Sequence, residues 1–201
     1  MASKPMKVKD QIFKLGTLIW ICAIVAGYMI LLRYANAPGL QAKAPPVWPQ
    51  ASQIVRTSGQ PTLLLFAHPF CPCSRASLTE LSKIMTHAPD KTQVVILFVN
   101  PKQTGLSETA LWKQAASIPN VTVLEDKNNF ESKLFGALTS GQTLLYSAEG
   151  RLLFSGGITS ARGHEGNSLG KESMLEILNH RKSNLKQALV FGCSLFNKEE
   201  K

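Results

Sequence analysis

The sequence lacks the marks of several large classes of protein. It has no low-complexity run and no internal repeat, which excludes repeat architectures and compositionally disordered chains. Charge is sparse, at 17% Asp, Glu, Lys and Arg. Basic residues outnumber acidic ones 22 to 13, yet they form no run and do not interleave with aromatics. A nucleic-acid surface needs such a footprint, so no nucleic-acid partner is expected. Five of the basic and one of the acidic residues fall in the first 37, which leaves 17 against 12 for the remainder. That balance describes a solvated surface.

One stretch has no charge at all. Leu15 to Leu32 runs 18 residues without Asp, Glu, Lys or Arg, just enough to cross a hydrocarbon core of about 30 Å as a helix. Lys4, Lys7, Lys9 and Lys14 precede it, against Asp10. The expected organisation is therefore a cytoplasmic basic tail at 1–14, a transmembrane helix at 15–32 and an exported remainder, since positive flanks stay inside. In a bacterial cell this is a single-pass inner-membrane protein with a periplasmic or otherwise extracytoplasmic domain. Ala35-Asn36-Ala37 resembles a signal-peptidase site, so a cleaved signal peptide is the alternative. The length of the apolar run and the position of Arg33 favour an uncleaved anchor. Cys22, inside the span, reads as a small apolar residue in lipid.

Pro38, Pro45, Pro46 and Pro49 make residues 33–50 a Pro-rich, semi-stiff linker. A domain is expected over 51–201. Thr62 to Ala67 is a continuous apolar run, as a buried central strand requires. Residues 72–87 carry Ala76, Leu78, Leu81, Ile84 and Met85 at helical spacing. Gln93 to Val99 is a second strand, stopped by Asn100-Pro101. A helix is expected over Ser107–Ser117, a strand over Val121–Leu124 and a short helix over Asn129–Phe135, ended by Gly136. Thr143–Tyr146 and Arg151–Phe154 flank a turn and predict a hairpin. Five glycines make 156–170 a loop, and Glu172–Leu189 reads as the last helix. The order predicts an α/β fold: parallel strands with crossover helices, then an antiparallel pair, with helices on both faces.

Cysteine is scarce: Cys22, Cys71, Cys73 and Cys193. Cys71 and Cys73 stand where the first strong strand gives way to a helix. A helix N-terminus offers unpaired N–H groups and the positive end of a dipole. Both favour a thiolate, which makes such a cysteine nucleophilic. Pro72 suits the first helical turn, where its missing donor costs nothing. Two structural core cysteines are the bland alternative, although one-residue spacing at a helix start fills a core poorly.

The tract Phe66-Ala67-His68-Pro69-Phe70-Cys71-Pro72-Cys73-Ser74-Arg75, followed by a helix and βαββα, resembles the thioredoxin superfamily. It is similar to membrane-anchored thiol–disulfide proteins of the TlpA and ResA type, and most similar to RedB-type proteins with a His-Pro-x-Cys-Pro-Cys-Ser-Arg tract. The resemblance implies a thioredoxin-like three-layer sandwich with a mixed sheet. It implies Cys71 in the attacking position and Ser74 in the resolving position, with Cys73 one residue early. Two departures matter. The spacing is Cys-x-Cys, and positions two apart on a helix lie about 200° apart, so a Cys71–Cys73 bridge needs Cys71 outside the helix. The family's proline before the hairpin is replaced here by Gly141.

Cys193 lies in an apolar tail, Val190 to Phe196, that should pack on the domain. It reads first as an inert packed cysteine. Alternatively the tail brings it to Cys71 and Cys73 as a resolving thiol. Arg162 and His164, in the glycine-rich loop, are supporting candidates: Arg162 to hold a thiolate or carboxylate, His164 as proton shuttle or soft-metal ligand. His68 is a third, while His87 and His180 read as structural. Each has an ordinary solvated role as its alternative.

The first functional reading is an extracytoplasmic, membrane-anchored thiol–disulfide oxidoreductase. It needs no cofactor beyond its cysteines, and its partners are protein thiols or disulfides. The alternative is a copper chaperone-like module in which Cys71, Cys73 and His164, or His68, bind Cu(I). Ser74 and Gly141 leave a third option, a non-catalytic domain that positions a membrane partner. A peroxidase is a weaker fourth.

Overall fold

The computed structural model describes residues 8–87, 92–101 and 105–196. Lys4 and Lys7 of the expected basic tail lie outside the described residues. The chain divides after Asn36 into two units.

The first unit contains one helix, α1, Val8–Asn36. At 1.5 Å per residue its 29 residues span about 43 Å. It is long and apolar enough to cross a membrane. It extends past both ends of the uncharged run because nothing in 8–14 or 33–36 breaks a helix.

The second unit is built on a five-stranded mixed sheet. Its elements are β1 Thr62–Ala67, α2 Pro72–Met85, β2 Gln93–Val99, α3 Ala110–Ala116, β3 Val121–Asp126, α4 Phe130–Leu134, β4 Gln142–Tyr146, β5 Leu152–Gly157 and α5 Leu169–Leu178. The strand order is β3-β2-β1-β4-β5. β1, β2 and β3 run parallel, in the register Leu65↔Ile96↔Val123. β4 is antiparallel to both β1 and β5. All six residues of β1 are buried, which is why that segment shows no polar alternation.

Successive β1 side chains point to opposite faces. Leu63, Leu65 and Ala67 pack with Leu78 and Leu81 of α2, Leu111 and Ala115 of α3, and Met174 of α5. Leu64 and Phe66 pack with Leu144, Tyr146 and Phe135. Burying each such leucine fully contributes about 2 kcal/mol. Helices therefore do lie on both faces, but α4 covers the second only in part. Extended chain completes it: Ala44, Ile54, Leu195 and Phe196 belong to the same cluster.

Residues 37–50 of the expected linker at 33–50 thus differ from a free spacer. The Trp48 ring meets Phe135 and Tyr146 edge-on at 5.0 and 5.1 Å. Tyr146 Oη donates to the Pro45 carbonyl at 2.9 Å. Trp48 N and Leu152 N donate to Gly150 O and Pro46 O. The prolines stiffen a segment that packs on the sheet.

Two expected helices are shorter. The one over 107–117 is a 3₁₀ turn, Leu106–Glu108, followed by α3. Thr109 separates them in an extended conformation and caps α3 by accepting from Trp112 N. α5 stops at Leu178. His180 then turns left-handed at φ 57°, and the polar run 179–184 has no apolar face to bury. Further on, Ser155 N donates to Lys186 O and Ala188 N to Ser155 O, so the chain runs beside β5.

Glu80 on α2 is fully buried. Lys171 Nζ lies 2.5 Å from it and Lys83 Nζ 2.7 Å. Gly166 N also donates to it. Burial pushes the Glu80 carboxyl up, but the two lysines and the Gly166 N–H outweigh it and hold the carboxyl below its ordinary value.

Candidate functional site

β1 ends at Ala67, and His68-Pro69-Phe70 turns the chain into α2. Cys71 is the N-cap, at φ −101° and ψ 125°. It therefore sits outside the helix, as a bond between Cys71 and Cys73 would require. Pro72 is the first helical residue. Cys71 N donates to His68 O, and Arg75 N to Cys71 O.

The tail reaches this turn from the other side of the site. Residues 194 and 139 form an antiparallel bridge. Ser140 N donates to Cys193 O at 2.8 Å, and Leu195 N to Leu138 O at 3.0 Å. Cys193 N donates to Ser140 Oγ at 3.0 Å. These backbone bonds leave the Cys193 sulfur 3.1 Å from that of Cys71. Cys71, Cys73 and Cys193 place their sulfurs within 4.8 Å of one another. Packing of the tail was expected, and the structure makes Cys193 a neighbour of Cys71. All the cysteines are free thiols.

Two glycines permit this arrangement. A Cβ on Gly192 would fall 2.0 Å from Ser140 O, so only glycine lets the tail approach. Gly141 has φ 85°, and a Cβ there would fall 2.5 Å from Ser77 Oγ. Its N–H donates to Phe66 O at 2.7 Å. Proline has no N–H to make that bond and cannot adopt that φ.

The electrostatics single out one sulfur. Hydrogen bonds from the Cys193 and Cys73 side chains, then from the Ser140 hydroxyl and the Ser74 backbone, hold the Cys71 thiol far below its ordinary value, against the opposing effect of burial. Cys73 is pushed up, first by its bonds to Cys193 and Cys71 and then by burial. Cys193 is raised chiefly by its bond to Cys71. The three sulfurs thus favour negative charge on Cys71 over Cys73 and Cys193.

The other candidates fall into different roles. Ser74 is buried and accepts from His68 N at 2.8 Å, bracing the turn. Arg162 donates from Nε to Ala37 O at 3.0 Å and from Nη1 to Gly192 O. It clamps the tail through these carbonyls, and its positive charge also acts on Cys193. His164 is exposed and donates from Nδ1 to Arg162 O at 2.8 Å. Among the described residues, neither His164 nor His68 joins the sulfur group. His68 Nδ1 accepts from Phe70 N. Sequence reasoning missed Ser140 and Gly192. Both act through the backbone of a partner far away in the chain, and such a contact leaves no local pattern.

No family model matches the chain, and no curated protein matches it in sequence. Solved structures do match. An uncharacterized conserved protein of Geobacillus kaustophilus superposes with a TM-score of 0.58 at 19% identity, over 81% of this chain and 93% of its own. A hypothetical protein of Sinorhizobium meliloti gives 0.55 at 23%, over 80% and 96%. A secreted disulfide oxidoreductase of Mycobacterium tuberculosis gives 0.44 at 14%, over 61% and 83%. The parallel β1–β2–β3 set joined to an antiparallel β4–β5 pair, with a helix starting directly after the central strand, gives this chain a thioredoxin-like fold.

Proposed function

We propose that the chain is a thiol–disulfide oxidoreductase whose working pair is Cys71 and Cys193, with α1 as an uncleaved membrane anchor and the folded unit outside the cytoplasm. The observation that carries this reading is the 3.1 Å separation of the two sulfurs. A disulfide of about 2.05 Å needs a closure of only about 1 Å.

Accessibility assigns the roles. Cys71 and Cys73 are each 3% exposed, whereas Cys193 is half-buried. A partner therefore meets Cys193. In the oxidised protein a thiolate of a partner dithiol attacks the Cys193 sulfur. The Cys71–Cys193 bond breaks, and Cys71 leaves with the electron pair. A low-pKa sulfur is the better leaving group, and the bonds from Cys73, the Ser140 hydroxyl and the Ser74 backbone stabilise it once Cys193 is held in the mixed disulfide. The partner's second thiolate then attacks the partner sulfur of the mixed disulfide, and Cys193 leaves and takes a proton. The partner loses two electrons and becomes a disulfide, while the protein becomes thiolate plus thiol. The reverse sequence reduces a partner disulfide. Cys73 acts as a donor to the Cys71 thiolate, and Ser140 aligns both members of the pair.

The test is a disulfide map. The full-length protein is oxidised with glutathione disulfide, alkylated, digested and analysed by mass spectrometry. A Cys71–Cys193 linkage is expected, with Cys73 alkylated. A map showing only Cys71–Cys73, or three free thiols, refutes the pair.

A further inference from the structure

We propose that, in the reduced protein, Cys71, Cys73 and Cys193 together bind one Cu(I) ion. The proposal uses the same sulfurs as the redox reading but none of its electron transfer, so either can fail alone.

Geometry is the first argument. Three sulfurs around one ion, with metal–sulfur bonds of about 2.3 Å, lie about 4 Å apart in a trigonal plane. The group here has one separation of 3.1 Å and none above 4.8 Å. Side-chain adjustments of under about 1 Å bring all three into place. The donors do not have to be gathered from a flexible chain. Cys71 is fixed as a helix N-cap, Cys73 lies in the first turn of α2, and Cys193 is held by two bonds to Ser140.

Donor chemistry is the second. Among the described residues the group contains no carboxylate and no imidazole. Hard cations such as Mg²⁺ and Ca²⁺ require oxygen ligands, and a pure thiolate set selects soft ions. Structural Zn²⁺ asks for four protein ligands in a tetrahedron, and this site offers three. Cu(I) is content with three sulfurs.

Surroundings are the third. Cys71 and Cys73 are buried, which keeps water from the ion. A trithiolate with Cu(I) carries net negative charge. The α2 N-terminus and Arg162, whose positive charge acts on Cys193, oppose that charge. The thiol protons pass to solvent as the ion enters. An oxidised Cys71–Cys193 pair has no such site, so metal loading and disulfide formation exclude each other.

The experiment titrates the full-length, detergent-solubilised, reduced chain with Cu(I) under anaerobic conditions against a chromophoric Cu(I) chelator. One ion per chain is expected. Cys193→Ser and Cys73→Ser should each weaken binding at least about 100-fold, with circular dichroism confirming the fold, and His164→Ala should leave it unchanged. X-ray absorption of the loaded protein should show three sulfur neighbours. Undiminished affinity in Cys193→Ser, or a loss in His164→Ala, overturns the ligand set. Preference for Zn²⁺ overturns the choice of ion. Absence of Cu(I) binding while the Cys71–Cys193 disulfide still forms removes this proposal and leaves the redox reading standing.

Discussion

Gly192→Ala tests whether the backbone of the tail, and not only its cysteine, builds the site. The new Cβ would lie 2.0 Å from Ser140 O and 2.9 Å from Thr139 Cγ2. Real Cβ contacts stay above 3.0 Å, so the tail has to retreat by about 1 Å. That retreat breaks the 2.8 Å bond from Ser140 N to Cys193 O and the 3.0 Å bond from Cys193 N to Ser140 Oγ. Two hydrogen bonds at about 1 kcal/mol each give about 2 kcal/mol. At about 1.4 kcal/mol per decade, the effective concentration of Cys193 at Cys71 falls about 30-fold. For a two-electron couple, with about 30 mV per decade, the Cys71–Cys193 potential rises by about 45 mV. The assay equilibrates full-length protein in a series of glutathione redox buffers, quenches with acid and counts alkylated Cys193. Gly105→Ala is the control, because among the described residues its Cβ would meet nothing nearer than Glu108 Cγ at 4.0 Å. A folded Gly192→Ala protein whose potential matches that of the control would falsify the claim that backbone pairing presents Cys193.

Two further outcomes follow from the charges. The Cys71 thiol is depressed in the folded state, so the stability it contributes is present above the ordinary thiol value of about 8.5 and declines as pH falls below it. The Cys73 and Cys193 thiols are raised, so theirs is present below about pH 8.5 and declines as pH rises. The urea midpoint of the reduced protein should therefore peak near about pH 8.5. Cys71→Ser should flatten the acid side of that peak and Cys73→Ser the alkaline side; identical profiles for the three proteins would dismiss the preference for negative charge on Cys71. Glu80→Gln leaves Lys171 facing a neutral amide in a buried pair. Because both lysines reach water, the loss should be about 2–4 kcal/mol in urea unfolding, at the lower end for breaking a buried pair. The depressed Glu80 carboxyl contributes above its ordinary value of about 4.3, so the difference between variant and parent should shrink as pH falls through the acid range. A constant difference down to that range would show that packing, not charge, is what Glu80 provides.

The sequence and the structure agree most where the signal is local. The β1 run has no polar alternation because both of its faces are covered. Pro72 and the apolar spacing after it located a helix start, and with it Cys71 and Cys73. What escaped is non-local or depends on backbone. The polar segment after Leu178 carries a helical-looking apolar pattern further on, at Leu185, Leu189 and Val190, but those residues serve an extended stretch beside β5. Residues 33–50 look like a linker because prolines dominate them, although Ala44 and Trp48 pack on the sheet's second face. Cys193 was visible as a cysteine in an apolar tail. Its place beside Cys71 depends on Ser140 and on the missing side chain of Gly192, and neither announces itself in one dimension.

The bridge between residues 139 and 194 changes what a relative of this protein should look like. Main-chain pairing fixes that segment's register and Leu195 and Phe196 need only stay apolar, so the residues it keeps are a glycine and the cysteine after it. Functional kin should be sought by a Cys-Pro-Cys at a helix start paired with a Gly-Cys about 120 residues downstream. A Cys-x-x-Cys search would pass such chains over and class them as having lost their chemistry.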